Sequence, residues 1–244
     1  MTDPLAPLLT LAGVATALDQ ARAAADSALT HRALRRRGGQ VAAELSLRSA
    51  VASAALENHR YDVEQVRSGV VTDPVVQGAL RVAAALPDLV DTWPRAPRQV
   101  LARLHVLAAR DAVDDARLGR PAGDPAVAVR LDALADLVAG GTSVPTLLLA
   151  AVVHGELLAL RTFPGPGGVV ARAAARLTLA AGGFDPRGLI AAEVGHLARE
   201  PEYVGAAGAF TTGTPDGVRA WVRHCAAAVE LGAAALVEQA GGVD

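Results

Sequence analysis

Apolar residues recur along the chain at helical spacing, and the strict apolar–polar alternation of a half-buried strand is rare. Alanine is abundant and aromatic residues make up only 3%, which favours helix further. Four Asp-Pro pairs, at 3–4, 73–74, 124–125 and 185–186, each set a side-chain acceptor before a residue that tolerates a first helical turn. Thr214-Pro215 reads the same way, and Gly38-Gly39, Gly140-Gly141, Gly182-Gly183 and Gly241-Gly242 read as stops. These signals predict helices over 5–36, 40–58, 74–90, 97–117, 125–139, 144–160, 169–181, 186–199 and 215–240. Connections are short and no linker stands out. The expected fold class is therefore all-α: one compact helical domain over 1–244, with a short hairpin near 117–124 around the polar turn LGRPAGD.

At 244 residues a compact chain buries roughly 70–75% of its unfolded surface, so a sizeable core is available without staples. The single cysteine, Cys225, excludes an intramolecular disulfide and multi-cysteine metal sites. All 23 basic residues are arginine, which excludes Schiff-base chemistry and phosphate-binding loops that need a lysine. A net charge of −2 argues against nucleic acid as a partner. The most apolar stretch, 144–153, runs into His154 and Glu156 and is too short to span a membrane. Asp3 stands where a signal peptide would carry basic residues, so a cytoplasmic location is expected.

The most unusual local chemistry is a corner between two apolar helices, HGELLALRTFPGPGGVVARAAARL (154–177). Pro164, Gly165, Pro166, Gly167 and Gly168 cannot continue a helix, so the chain turns and restarts near Val169. A glycine loop feeding a helix N-terminus offers unpaired N–H groups and a favourable dipole to an anion, and Arg172 lies in the first turn. A plain helix–turn–helix corner explains the same residues.

Residues 161–172, RTFPGPGGVVAR, resemble the Fic (Fido-fold) loop H-x-F-x-(D/E)-G-N-G-R-x-x-R, with Phe163, Gly168 and Arg172 on its Phe, second Gly and final Arg. The preceding VVHGELLALR resembles the family's approach helix, with His154 seven residues ahead of the loop's first position. LARLHVLAARDAV (101–113) followed by LGRP resembles the helix and flap, and EPEYVGAAGAF and VRAWVRHCAAAVE resemble the distal helices. SAALEN (53–58) fits the family's inhibitory pattern (S/T)-x-x-x-E-(G/N), with Ser53, Glu57 and Asn58 on its marked positions. The resemblance covers about 40–235, with 1–39 as an N-terminal helix packed on that region. It implies an all-α fold and transfer of AMP from ATP to a hydroxyl of a protein target, whose identity it leaves open. A homo-oligomer also stays open.

The chain departs from that pattern at its chemically committed positions. Arg161 replaces the catalytic His, and a guanidinium cannot accept a proton near neutral pH. Gly165 replaces the acid that holds Mg²⁺, so no metal ligand is expected; Pro166, Gly167 and Val169 replace the first Gly, the Asn and the first Arg. His154 lies about 10 Å back along the helix, poorly placed to act as base. The expected function is thus a pseudoenzyme or an anion- or nucleotide-binding regulatory module, with ATP or another phosphorylated molecule as ligand. A divergent transferase with a different phosphorylated donor, and a helical interaction module without pocket chemistry, are the alternatives.

In the family the inhibitory glutamate pairs with the final arginine and obstructs the nucleotide γ-phosphate. The resemblance so implies a Glu57–Arg172 pair, as a structural clamp or as a latch that an anion displaces. Arg161 reads as an anion-binding residue or as a cap of the helix before it. With Arg172 and the glycines it predicts a small electropositive cleft. Arg35-Arg36-Arg37 suits a helix end; Asp111, Asp114 and Asp115 share one predicted helix face, read as solvated rather than as a cation site; His105 and His196 read as surface or packing residues, and Trp93 and Trp221 as packing or interface anchors.

Overall fold

Three of the five predicted proline-marked starts form helices by the mechanism their side chains dictate. In the computed structural model, which describes residues 3–121 and 123–242, Asp73 accepts the N–H groups of Val75 and Val76, Asp124 that of Ala126 and Thr214 that of Gly217. Eleven α-helices are present among the described residues: α1 (Val14–Leu29), α2 (Leu34–Ala55), α3 (Val63–Arg67), α4 (Pro74–Leu89), α5 (Pro97–Ala109), α6 (Pro125–Asp136), α7 (Thr146–Leu160), α8 (Gly167–Ala181), α9 (Ala192–Ala198), α10 (Glu200–Phe210) and α11 (Pro215–Gly241). No strand occurs among those residues.

Several boundaries differ from the sequence expectation, each for a local reason. The predicted 5–36 helix is interrupted at Gly13, whose φ of 75° is left-handed, and α1 ends at Leu29. The predicted stop at Gly38-Gly39 is overridden: α2 runs through both glycines because Leu34, Val41 and Leu45 form one buried stripe across them. Arg35-Arg36-Arg37 consequently occupies the first turn of α2, where the dipole disfavours positive charge. The helix predicted over 97–117 ends at Ala109, and Asp115–Arg117 forms a short 3-10 turn. The expected hairpin near 117–124 is therefore a turn among its described residues; Ala122 lies outside them. Asp185 does not start a helix: it accepts the Ile190 N–H at 2.7 Å and holds the chain in a loop until α9 begins.

Asp3 has a longer reach than a cap. Besides the Leu5 N–H it accepts Thr142 Oγ1, Ser143 Oγ and the Ser143 N–H, tying the start of the chain to the α6–α7 connection. Those donors, the Ser143 N–H foremost, hold its carboxyl well below the usual range.

The buried residues form two clusters that meet at α7. Leu148 and Ala151 join Leu18, Leu45, Trp221 and Leu236 in one, while Val153 and Leu157 join Leu101, Leu104, Leu131 and Leu177 in the other. This explains why α7 is apolar around its circumference. Trp221 and Trp93 are core residues whose indole N–H groups donate to Ala151 O at 2.7 Å and Thr178 Oγ1 at 3.0 Å. α11 is long and apolar enough by length and composition to cross a membrane. Here it packs against α1, α9 and α10, with Trp221, Val222, Ala226 and Leu236 completely buried.

Candidate functional site

The corner between α7 and α8 is assembled from three backbone devices. Arg161 ends α7 in a left-handed conformation (φ 46°, ψ 47°), its N–H donating to Leu158 O. Gly165 takes a φ of 69°, and the Gly167 N–H then donates to Gly165 O at 2.7 Å. α8 starts at Gly167 and carries Arg172 inward on its first turns. The side chain of Arg161 is exposed and makes no hydrogen bond or ion pair among the described residues, so it is the Arg161 backbone that caps α7.

Phe163 is buried and stacks on His105 with ring centroids 4.7 Å apart. Of the two expectations for His105, packing holds: it is fully buried, its Nδ1 accepts the Gly119 N–H at 3.0 Å, and its Nε2–H donates to Pro164 O at 3.0 Å. These contacts fix one neutral tautomer, and burial lowers the pKa. His105 thus locks the corner to the turn that follows α5.

Arg172, only 2% exposed, is the centre of the site. Its Nε donates to Ser53 Oγ at 2.9 Å, its Nη2 to Ser53 O and Glu57 Oε1 at 2.8 Å each, and its Nη1 to Tyr203 Oη at 3.1 Å. Burial alone would depress its pKa; Tyr203 and Glu57 outweigh that and keep it above the usual value. Ser53, in the last turn of α2, and Glu57, in the turn that follows the helix, both face Arg172 of α8. Asn58 follows with φ 68°, the left-handed residue through which the chain leaves α2, while the His59 N–H returns to Ala54 O. This supplies a physical reason for asparagine or glycine after the glutamate.

Gly168 permits the close approach of α2 and α8. A Cβ there would lie 2.0 Å from Glu57 Oε1 and 2.9 Å from Arg172 Nη1. The Glu57 carboxylate therefore sits against the N-terminal turn of α8, the position where helix polarity favours an anion. Gly167 has open space beside it.

His154 lies behind this clamp, 2% exposed, with Nε2 3.1 Å from Tyr203 Oη. Tyr203 accepts from Arg172, which leaves its hydroxyl hydrogen free to point to His154 Nε2. The ring packs among His196, Tyr203 and Trp221, and burial, then the Arg172 charge, push its pKa well down. His196 is buried in the same cluster and pairs its Nδ1 with His224 Nε2 at 3.0 Å.

A cavity of about 340 Å³ opens on the outer side of the corner. Glu57 and His59 are its ionisable lining residues, Gly165 and Pro166 represent the corner, and neither Arg161 nor Arg172 reaches it. The expected electropositive cleft is thus absent from this cavity, because Arg172 is covered by Glu57. His59 Nδ1 lies 2.8 Å from Asp73 Oδ2, which also accepts Tyr61 Oη at 3.3 Å. Sequence reasoning saw Asp73 only as a cap and passed over His59; their separation of fourteen residues across α3 left no local signal. Asp111 lies on a turn beyond α5, bonded to Arg81 at 2.8 Å, so the supposed helix face with Asp114 and Asp115 does not exist. Among the described residues no group of three or more His, Cys, Asp or Glu is placed to hold a metal.

No protein-family model matches the chain, nor does any curated protein sequence. Solved structures do. The crystal structure of a Fic family protein from Desulfovibrio desulfuricans G20 superposes with a TM-score of 0.69 over 92% of this chain and 73% of that one, at 20% identity. The chain has a Fic fold. Fic-1 (residues 134–508) from C. elegans gives a TM-score of 0.67 over 95% of this chain and 73% of that one, at 18% identity. At such identities the likeness to Fic structures establishes the architecture alone.

Proposed function

We propose that this Fic-fold chain is a regulatory binding module whose anion position is held shut by its own glutamate, and that it does not transfer AMP as the Fic family does. The observation that supports this is the engagement of Arg172 at all three nitrogens: Ser53, Glu57 and Tyr203 supply the acceptors, and Glu57 sits at the mouth of α8. The proton acceptor and the metal ligand that AMP transfer needs stand as Arg161 and Gly165, neither able to perform its role. His154 is no substitute, being enclosed and engaged by Tyr203. A phosphorylated, nucleotide-like ligand fits the reading because a phosphate would replace the Glu57 carboxylate between Arg172 and the α8 N-terminus. A cytoplasmic setting belongs to the same proposal.

Thermal unfolding with and without ATP tests it. The intact chain is expected to show little shift and Glu57→Gly a clear one, since binding to the native state alone raises its melting temperature. A shift of equal size in both, or in neither, contradicts a site closed by Glu57.

A further inference from the structure

We propose that a pocket between α2, α4, α8 and the loop leading to α9 binds a small aliphatic α-amino acid, its ammonium held by Glu193 and Ser49 and its carboxylate by Arg176. This goes beyond the clamp reading and does not rest on it. The pocket has two parts, an outer chamber of about 250 Å³ and a recess of about 10 Å³. Ala83, Leu86 and Arg176 line both, so the recess opens off the chamber.

Two buried polar atoms call for a ligand there. Ser49 and Glu193 are 1% and 4% exposed and both line the recess, yet Ser49 Oγ and Glu193 Oε2 have no hydrogen-bond partner among the described residues. Buried polar groups are nearly always paired, so a donor from outside the chain fits both atoms. The recess has room for one group the size of a water molecule. An ammonium is of that size, and its three N–H donors suit a carboxylate and a hydroxyl oxygen together.

Arg176 decides what stands beside the ammonium. Its Nη2 donates to Gly188 O at 2.8 Å, whereas its Nη1 lies 3.8 Å from Glu193 Oε1, beyond hydrogen-bond range. A lone amine would leave that Nη1 unanswered. It would also meet a second guanidinium, Arg187, which lines the chamber and is anchored by Nη2 on Leu29 O at 2.8 Å. A carboxylate one carbon away from the ammonium serves Arg176 while the ammonium serves Glu193, and that pairing is the head of an α-amino acid. Leu86, Pro87, Val90, Leu177, Ala180 and Pro186 make the chamber mainly apolar, which suits an aliphatic side chain. Its volume falls below the roughly 300–1,000 Å³ of pockets for drug-sized ligands, which limits that side chain to about the size of leucine's.

Equilibrium dialysis of the intact chain with tritiated L-leucine tests this. Isopentylammonium chloride and sodium isocaproate, which are leucine without its carboxylate and without its ammonium, serve as competitors. Leucine is expected to be retained, and each analogue to compete at least about tenfold more weakly than unlabelled leucine. Glu193→Gln keeps the shape and removes the charge, and Ala180→Leu fills the chamber from a half-buried position. Each should lower leucine affinity about tenfold while the circular-dichroism melting profile stays in place. The competitors decide the question on the unaltered chain even if a variant fails to fold. Loss of all retained label means that the recess takes only water and overturns the proposal. So does competition by either analogue equal to leucine's, or undiminished leucine affinity in folded Glu193→Gln.

Discussion

Glu57 Oε1 accepts a 2.8 Å hydrogen bond from Arg172 Nη2, joining a carboxylate that is 22% exposed to a guanidinium that is 2% exposed. The asymmetry decides what each partner costs to lose. Without Arg172, Glu57 can turn toward water; without Glu57, a buried charge keeps its bonds to Ser53 and Tyr203 but loses one hydrogen bond and its counter-charge. Glu57→Ala is therefore expected to destabilise the fold by about 3 kcal/mol, the lower end for a broken buried pair. Urea unfolding monitored by circular dichroism measures it, and a loss below about 0.5 kcal/mol, the scale of a surface substitution, contradicts a structural clamp.

Gly168 gives a second view of the same contact. A methyl group there occupies the space of Glu57 Oε1, so Gly168→Ala should expel the carboxylate and cost about as much as losing the pair, about 3 kcal/mol. In a double mutant with Glu57→Ala most of that cost should vanish, because the clash has gone. Additive effects in the double-mutant cycle would show that Gly168 and Glu57 do not meet.

The buried histidines make stability depend on pH. His154 and His196 have pKa values pushed well below their ordinary range, burial being the main cause. Below about pH 6.5 the unfolded chain therefore binds protons that the folded chain refuses, and stability falls as pH drops. Each such histidine adds about 1.4 kcal/mol per pH unit to the slope. Replacing one, as in His196→Phe, should lower the slope between pH 6 and 5 by about that amount. An unchanged slope in denaturant titrations across that range would contradict neutral burial.

Cys225 lies in α11, 5% exposed, and burial pushes its thiol far above the usual value. A disulfide reagent at pH 8 should leave it unmodified in the native chain and react at once in denaturant. Rapid native labelling would mean that α11 does not pack as described.

Much of the fold was legible because its signals are local. Asp73, Asp124 and Thr214 begin helices with side chains that cap their own first turns. Where the reading failed, tertiary packing had overruled local preference: Gly38-Gly39 continues a helix because Leu34, Val41 and Leu45 bury a stripe through it. Asp185 instead satisfies a loop N–H. Ser53, Glu57 and Arg172 could be picked out because the first two sit at helical spacing and the third follows a helix-breaking corner. His59 could not, nor could the partners of His105 and Tyr203. Each acts through a partner brought close only by folding: Asp73 across α3, Pro164 across the α5–α7 region, and Arg172 from α8 to α10.

The proposed function separates a Fic architecture from the family's transfer chemistry. Incubation of Glu57→Gly with α-labelled ATP and Mg²⁺ or Mn²⁺, in the presence of cell extract as a source of protein hydroxyls, tests it most directly. The account predicts no covalent label on the chain or on any extract protein, even with the clamp removed. Robust labelling that disappears when Arg172→Ala is added would contradict it.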